Sequence, residues 1–275
     1  MSPLSVITVP TLLGLTLLGG AVWGQAPSPP PTPSPLTVPD LTLLKQALAP
    51  LAGDGMLQSL SSLQMTGSKE GISFTFHETA RVVAKRPDKF RAYVTQYTAD
   101  GAPERRLIII SDGKKVWTYR PATRQYCVTP AKAFHAGDND MTALGLVQGG
   151  FFLGEGHEMA QGFAAITQEN GPQVLAMLNG LGIRLTSRPE PAGGGGNTVY
   201  RMVLTRQGIA YRFFIDPATA RLRRLELAGH QNGVVVLFRE KVGEMETPAV
   251  VAKTTFAFTP PLGTTRVSSV PVDPF

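Results

Sequence analysis

KRPDKFRAYVTQYTADGAPERRLIIISDGKKVWTYRPATRQYCVTP, residues 85–130, is the stretch that decides the fold. Phe90, Ala92 and Val94 alternate with Arg91, Tyr93 and Thr95, the two-residue period of a strand with one face in a core and one in water. Ser111-Asp112-Gly113-Lys114 stands between an Ile-rich run and Val116-Trp117-Thr118-Tyr119, and Asp-Gly supplies the positive φ that a tight hairpin needs. Pro121-Ala122-Thr123 turns the chain again before residues 125–129. The whole stretch reads as a meander of four or five antiparallel strands.

Upstream, Ile72, Phe74, Phe76, Ala80, Val82 and Ala84 share one strand face with Arg86. A guanidinium has five donors and is costly on an apolar face unless they are satisfied. Arg86 has two fates at this point: it snorkels to solvent from the strand end beside Pro87, or it is held by a partner inside. Before that strand, Asp40 is placed to cap a helix carrying Leu41, Leu44, Leu48 and Leu51 on one side, ended by Pro50 and Gly53. Residues 56–63 read as a second short helical turn.

Downstream the spacing turns helical. Met141, Leu144 and Val147, then Met159, Phe163 and Ile166, then Val174, Leu175, Leu178 and Leu181 recur at helical intervals, with Pro172 at a helix start. Glycines at 145, 149, 150, 154, 156, 162 and 171 interrupt these short helices, which suits a mobile cover more than a rigid core. Residues 193–196 read as a flexible loop tip. The period of two returns in 198–205, 209–215, 222–227 and 233–242, with Asp216-Pro217-Ala218-Thr219 as a turn, and residues 254–259 read as a last strand running into Pro260-Pro261-Leu262-Gly263. The sum is an α+β, mainly β chain of about ten or eleven antiparallel strands with a helical insertion.

Of the 275 residues, 43% are hydrophobic, enough for a core, and 17% are charged. An average domain carries about 25% charged residues, so this one has apolar surface to offer a ligand. The net charge of +6 is carried by Lys and Arg spread singly along strands, which fits a solvated sheet face and not a nucleic-acid site. Residues 1–39 hold no charged side chain. Leu12 to Val22 is an apolar run of signal-peptide length with Ala21, Gly24 and Ala26 as small residues for cleavage. That gives a signal peptide at 1–24, a proline-rich linker in extended polyproline form at 25–39, and one domain at 40–275. Cleavage is the preferred outcome, and retention as an inner-membrane anchor is the alternative, since Leu4 to Trp23 is long enough to span. The single cysteine, Cys127, has no partner in the chain and reads as a packed thiol.

No catalytic set emerges. Asp138-Asn139-Asp140-Met141-Thr142 has an aspartyl-phosphate spelling, but nothing before it resembles the buried strand that chemistry needs, so it reads as a helix cap. His157-Glu158 begins like a zinc-protease helix, yet Gln161 stands where the second histidine belongs. His77, His135 and His230 have no ligand spacing, and neither a G-x-S-x-G elbow nor a phosphate-binding glycine loop exists. No enzyme activity, metal or cofactor is expected.

Three blocks nevertheless resemble the LolA-like superfamily, whose type member carries outer-membrane lipoproteins across the periplasm. KRPDKFR at 85–91 is similar to its Arg-Pro-x-x-Phe segment. ISDGKKVWTYRPATRQY at 110–126 is similar to its Ser-Asp-Gly-Lys, Leu-Trp-x-Tyr-x-Pro and Gln run, and FAFTPPLGT at 256–264 to its Phe-x-Phe-x-Pro-Pro-x-Gly ending. The resemblance implies an unclosed β-barrel: a curved antiparallel sheet whose concave apolar side is covered by a helical lid, leaving a cavity for acyl chains. It implies that Arg86 bonds the covering segments and holds the cavity shut, with Phe74, Phe76, Phe90, Val94, Tyr211 and Phe213 as cavity wall. It further implies a monomeric, exported, periplasmic carrier that takes lipidated proteins or lipids from an inner-membrane transporter to an outer-membrane acceptor. Because related members include envelope sensors, a membrane-tethered sensor or structural module without cargo is the alternative.

Overall fold

The computed structural model describes residues 38–272 except 70–71, 99, 137–138, 168, 192–194 and 232–233. The apolar run, nearly all of the linker, Asp138 and the tip at 193–194 lie outside the described residues. A helix α1, Val38–Ala52, precedes six strands: β1 Met56–Lys69, β2 Ile72–Lys85, β3 Lys89–Tyr97, β4 Pro103–Asp112, β5 Lys115–Arg120 and β6 Gln125–Pro130. Helices α2 Ala131–Ala136 and α3 Asn139–Gly145, a π-helical segment Leu146–Leu153, and helices α4 Gly156–Ala164 and α5 Gly171–Gly180 form the insertion. Strands β7 Ile183–Pro189, β8 Thr198–Leu204, β9 Ile209–Ile215, β10 Leu222–Gln231 and β11 Val234–Glu246 follow, with a two-residue β12, Thr265–Arg266.

These strands make one twelve-stranded sheet in the order β12-β6-β5-β4-β3-β2-β1-β11-β10-β9-β8-β7. It stays open, with β7 and β12 as its two edges. Every pairing is antiparallel except β12 on β6, which is parallel. Laid flat, twelve strands at ~4.8 Å spacing would span about 50 Å. Yet Phe90, Ala92 and Ile109 from one half share a single core with Leu185, Tyr211 and Phe213 from the other. The sheet therefore curves around a common interior, which the helices fill. At the predicted hairpin Gly113 has φ +93°, and Asp112 accepts hydrogen bonds from the N–H groups of Lys114 and Lys115. The inner face of β3 is as expected: Phe90, Ala92 and Val94 are buried, and Cys127 is buried on β6.

The three blocks that carried the family resemblance meet in space. Ser111 Oγ donates to the Asp88 carbonyl at 2.6 Å, tying the first block to the second. Phe258 of the third block packs its ring against Trp117, Tyr119 and Tyr126 of the second.

Several expectations are corrected. Residues 56–63 are not helical; they begin β1, whose buried positions are Leu57, Ser59, Ser61, Leu63 and Met65. Buried serines at two inward positions hide the alternation from a hydropathy reading. Asp40 lies inside α1, which begins at Val38 and runs through Pro50 to Ala52. Residues 254–259 are not a strand: a turn covers 253–256 and 257–259 are irregular, and the edge of β6 is taken by Thr265–Arg266. Residues 183–189, which no sequence expectation covered, form the edge strand β7. The middle of the cover is closely fitted, with Ala143, Leu144, Leu146, Val147, Phe151 and Phe152 all buried, whereas in α5 Gly171 is the one buried residue.

The strand register of β1 has a direct test. Leu57 is fully buried while Leu60 is 41% exposed. Leu57→Ala is expected to lower unfolding stability by about 2–5 kcal/mol and Leu60→Ala by less than about 1 kcal/mol. Chemical denaturation of the two variants checks this, and equal losses would contradict the register.

Candidate functional site

The junction between sheet and cover is where polar side chains reach across. Arg86 follows β2 immediately and keeps the inward phase of Val82 and Ala84. Its Nη1 donates to the Phe152 carbonyl at 2.5 Å, while its Nε lies 3.9 Å from Asp54 Oδ1. The side chain is 23% exposed. Of the two fates open to it in the sequence, the structure shows the inner one: the guanidinium holds the C-terminal end of the π-helical segment.

Glu240 of β11 holds the other end. Its carboxylate is fully buried and accepts the Val147 N–H at 2.9 Å. Burial pushes its pKa up, against the opposite pull of Ser61 and of the Val147 and Leu146 N–H groups. Gly145 makes this approach possible. It sits at φ +77°, and a Cβ there would stand 2.7 Å from Glu240 Oε1. Between these ends, Gln148 Nε2 donates to the Leu57 carbonyl at 3.2 Å and to Ser59 Oγ at 3.1 Å. The two inward serines of β1 thus line the seat of the cover. Just beyond, His157 Nδ1 bonds the Leu51 carbonyl at 2.8 Å, joining α4 to α1. Burial lowers the His157 pKa and the nearby Arg86 charge lowers it further.

A transverse row of residues, polar at every place but one, crosses the inner face at the edge of the cover. The pairings align Arg105, Gln96, Glu78, Leu63 and Glu240 on successive strands β4, β3, β2, β1 and β11. Arg105 Nε donates to Gln96 Oε1 at 2.5 Å, and Gln96 Nε2 donates to the Val272 carbonyl at 2.9 Å. Glu78 is 1% exposed, and neither carboxylate oxygen has a well-formed hydrogen bond among the described residues. Burial drives its pKa well above the ordinary carboxylate value; the neighbouring Gln96 amide and Arg105 charge oppose the rise, and the Glu240 charge adds to it. Sequence reasoning passes over Glu78 and Glu240, although the signal is there: each stands at an inward position of an alternating strand, Glu78 between Phe76 and Ala80, Glu240 between Phe238 and Val242.

The six residues expected to line a cavity divide into two groups. Phe90, Val94, Tyr211 and Phe213 lie in the shared core. The space in front of them is occupied by the chain's own rings: Phe134 is 5.9 Å from Phe90, and Phe151 lies edge-on to Tyr211 and Phe213 at 5.6 and 5.5 Å. Phe74 and Phe76 sit farther along β2, past the polar row and outside that core. A cleft of about 440 Å³ opens instead at the rim of the cover, lined by Pro50, Met56, Lys85, Phe152, Pro248 and Ala249 among others. Among the described residues no group of three or more metal-ligating side chains exists, and no helix is long and apolar enough to cross a membrane.

Residues 60–136 match the family DUF2092, described as predicted periplasmic protein. No curated protein matches the chain. Several solved structures are similar to it. LprF from Mycobacterium bovis shares 11% identity at a TM-score of 0.41, covering 81% of this chain and 99% of that one. An uncharacterized conserved protein from Thermus thermophilus shares 17% identity at a TM-score of 0.39, covering 83% and 98%. A putative outer membrane lipoprotein-sorting protein domain from Vibrio parahaemolyticus shares 11% identity at a TM-score of 0.33, covering 79% and 95%.

Two measurements probe the site. A carboxyl whose folded pKa is raised binds its proton more tightly in the folded state. Glu78 therefore contributes stability that is full below about pH 4.5 and is lost as pH rises through its raised value. Glu78→Gln is expected to raise the melting temperature at pH 7.5 and to leave it unchanged at pH 4, read by thermal unfolding across that range. Gly145→Ala is expected to destabilise by about 2–4 kcal/mol, with hydrogen exchange rising first in residues 146–153.

Proposed function

We propose that this chain is an exported, non-enzymatic protein of the periplasm that binds acyl chains under the cover, and that it serves as a lipoprotein or lipid carrier. The observation that carries the reading is the bond from Arg86 to the Phe152 carbonyl. It crosses from sheet to cover beside an apolar cleft, and its acceptor is a single carbonyl in a short π-helical segment. The rings of Phe151 and Phe134 occupy the place an acyl chain would take, so the arrangement corresponds to a closed, self-filled state. Each methylene moved from water into that interior contributes ~0.8 kcal/mol, and a chain of ordinary length would outweigh the bonds holding the segment down. Entry of the ligand and release of the cover are then one event, with Arg86 and Glu240 setting the threshold. The family description and the uncharged apolar run at the start of the sequence support export. Transfer from an inner-membrane donor to an outer-membrane acceptor belongs to the same proposal.

A second reading is favoured by one observation, the filled interior: a tethered envelope sensor or structural module needs no cargo. Lipid extraction and mass spectrometry of native protein separate the two, with bound acyl lipid expected for the carrier and none for the module. Arg86→Leu removes a charged donor worth about 1.5–3 kcal/mol, so the affinity for a fluorescent fatty acid is expected to change by about tenfold or more while the fold is retained. An unaltered affinity in that variant would count against the gate.

A further inference from the structure

The lipid-binding reading leaves unused a cluster of arginines on the outer face of β7, β8 and β9. Arg201 of β8 is paired with Arg212 of β9 on one side and with Thr186 of β7 on the other. Arg184 and Arg188 lie two residues to either side of Thr186 and share its face, so Arg201 has one arginine opposite and two on the diagonals. Burial and the charges of Arg212, Arg188 and Arg184 pull the Arg201 pKa below its ordinary value. Carboxylates on this face are already engaged. Glu226 receives Arg239 at 2.9 Å and Arg212 and Arg224 at 3.2 Å each, and Glu190 receives Arg224 at 2.9 Å. Arg184, Arg188 and Arg201 have no ion pair among the described residues.

Guarding the sheet edge explains only part of this. Charged residues on an edge strand discourage unwanted pairing, and Arg184 and Arg188 on β7 would do so. Arg201 is on an interior strand that has no edge to guard, and crowding it with like charge lowers stability unless an anion is supplied from outside. Two anionic occupants compete. An acidic peptide would pair along β7, but Pro189 lacks a donor there and α5 lies against the strand. A bilayer needs no strand edge, only a face of unneutralised cations, and the expected export of the chain, read from its uncharged apolar run at 4–23, would bring it to a membrane.

We propose that the arginine face of β7 to β9 seats the protein on an anionic phospholipid bilayer, with the helical cover turned away from the membrane. The proposal does not depend on cargo binding. The test is sedimentation of the full chain with vesicles of phosphatidylcholine alone and of phosphatidylcholine mixed with phosphatidylglycerol. Whatever the run at 4–23 contributes is common to both vesicles, so the ratio of the two affinities reads charge. Wild-type protein is expected to prefer the mixed vesicles, with the preference falling as salt rises, and Arg184→Gln/Arg188→Gln/Arg201→Gln is expected to bind them on the order of 100-fold more weakly with unchanged melting. If the triple variant does not fold, Arg184→Gln/Arg188→Gln on the exposed edge is expected to lose about 10-fold or more. Equal binding to both vesicles by the wild type, or mixed-vesicle binding unaffected by the substitutions, overturns the proposal. So does binding of polyglutamate without binding of the mixed vesicles, which would assign the face to an acidic protein.

Discussion

A wide sheet curved round one interior needs that interior filled, and the π-helical segment at 146–153 fills it only because it is pinned at both ends. Glu240 accepts from the N-terminal end of the segment and Arg86 donates to its C-terminal end. The polarity of the pins follows from helical geometry, since the first N–H groups and the last carbonyls of any helix lack partners of their own. A carboxylate at one end and a guanidinium at the other are the complements those groups require. Reversing the two side chains would set donor against donor and acceptor against acceptor in an apolar space.

The inner face therefore has two regimes. Under the cover it is apolar and aromatic except where Gln148 meets Ser59 and Glu240 meets Val147. At the edge of the cover it is crossed by the row from Arg105 to Glu240, in which the Glu78 carboxyl has no well-formed hydrogen bond among the described residues. A sheet that served only to enclose a core would gain by replacing Glu78 with an apolar residue, because a poorly partnered buried carboxyl weakens folding. Its presence in an inward position makes this row a region in which a polar group is kept at the expense of stability.

Much of the architecture is legible where hydropathy and strand phase agree. The meander at 85–130, the strand at 209–215 and the helical insertion with Pro172 at the start of its last helix all emerge from local pattern. Where an inward position holds a small polar residue, as at Ser59 and Ser61, the pattern fails, because the partners are remote in sequence: Gln148 of the cover for Ser59 and Glu240 of β11 for Ser61. The strand at 183–189 escapes a sequence reading because its alternation is short: Ile183 and Leu185 face inward, but Ser187 and Pro189 follow them in the same phase. Arg86 is visible as an anomaly on an apolar face. Its partner is not, since a backbone carbonyl has no signature in sequence. The same holds for the packed interior, which depends on Phe134 and Phe151 from the insertion meeting Phe90, Tyr211 and Phe213 from distant strands.

The polar row has one further effect, on the far end of the chain. Gln96 and Arg105 donate to the carbonyls of Val272 and Pro271, and Val270 and Val272 are buried. The segment at 270–272 thus closes over the sheet's interior. Trimming it by proteolysis would strip the acceptors from an amide and a guanidinium at once, and would disturb the protein in the manner of a core substitution.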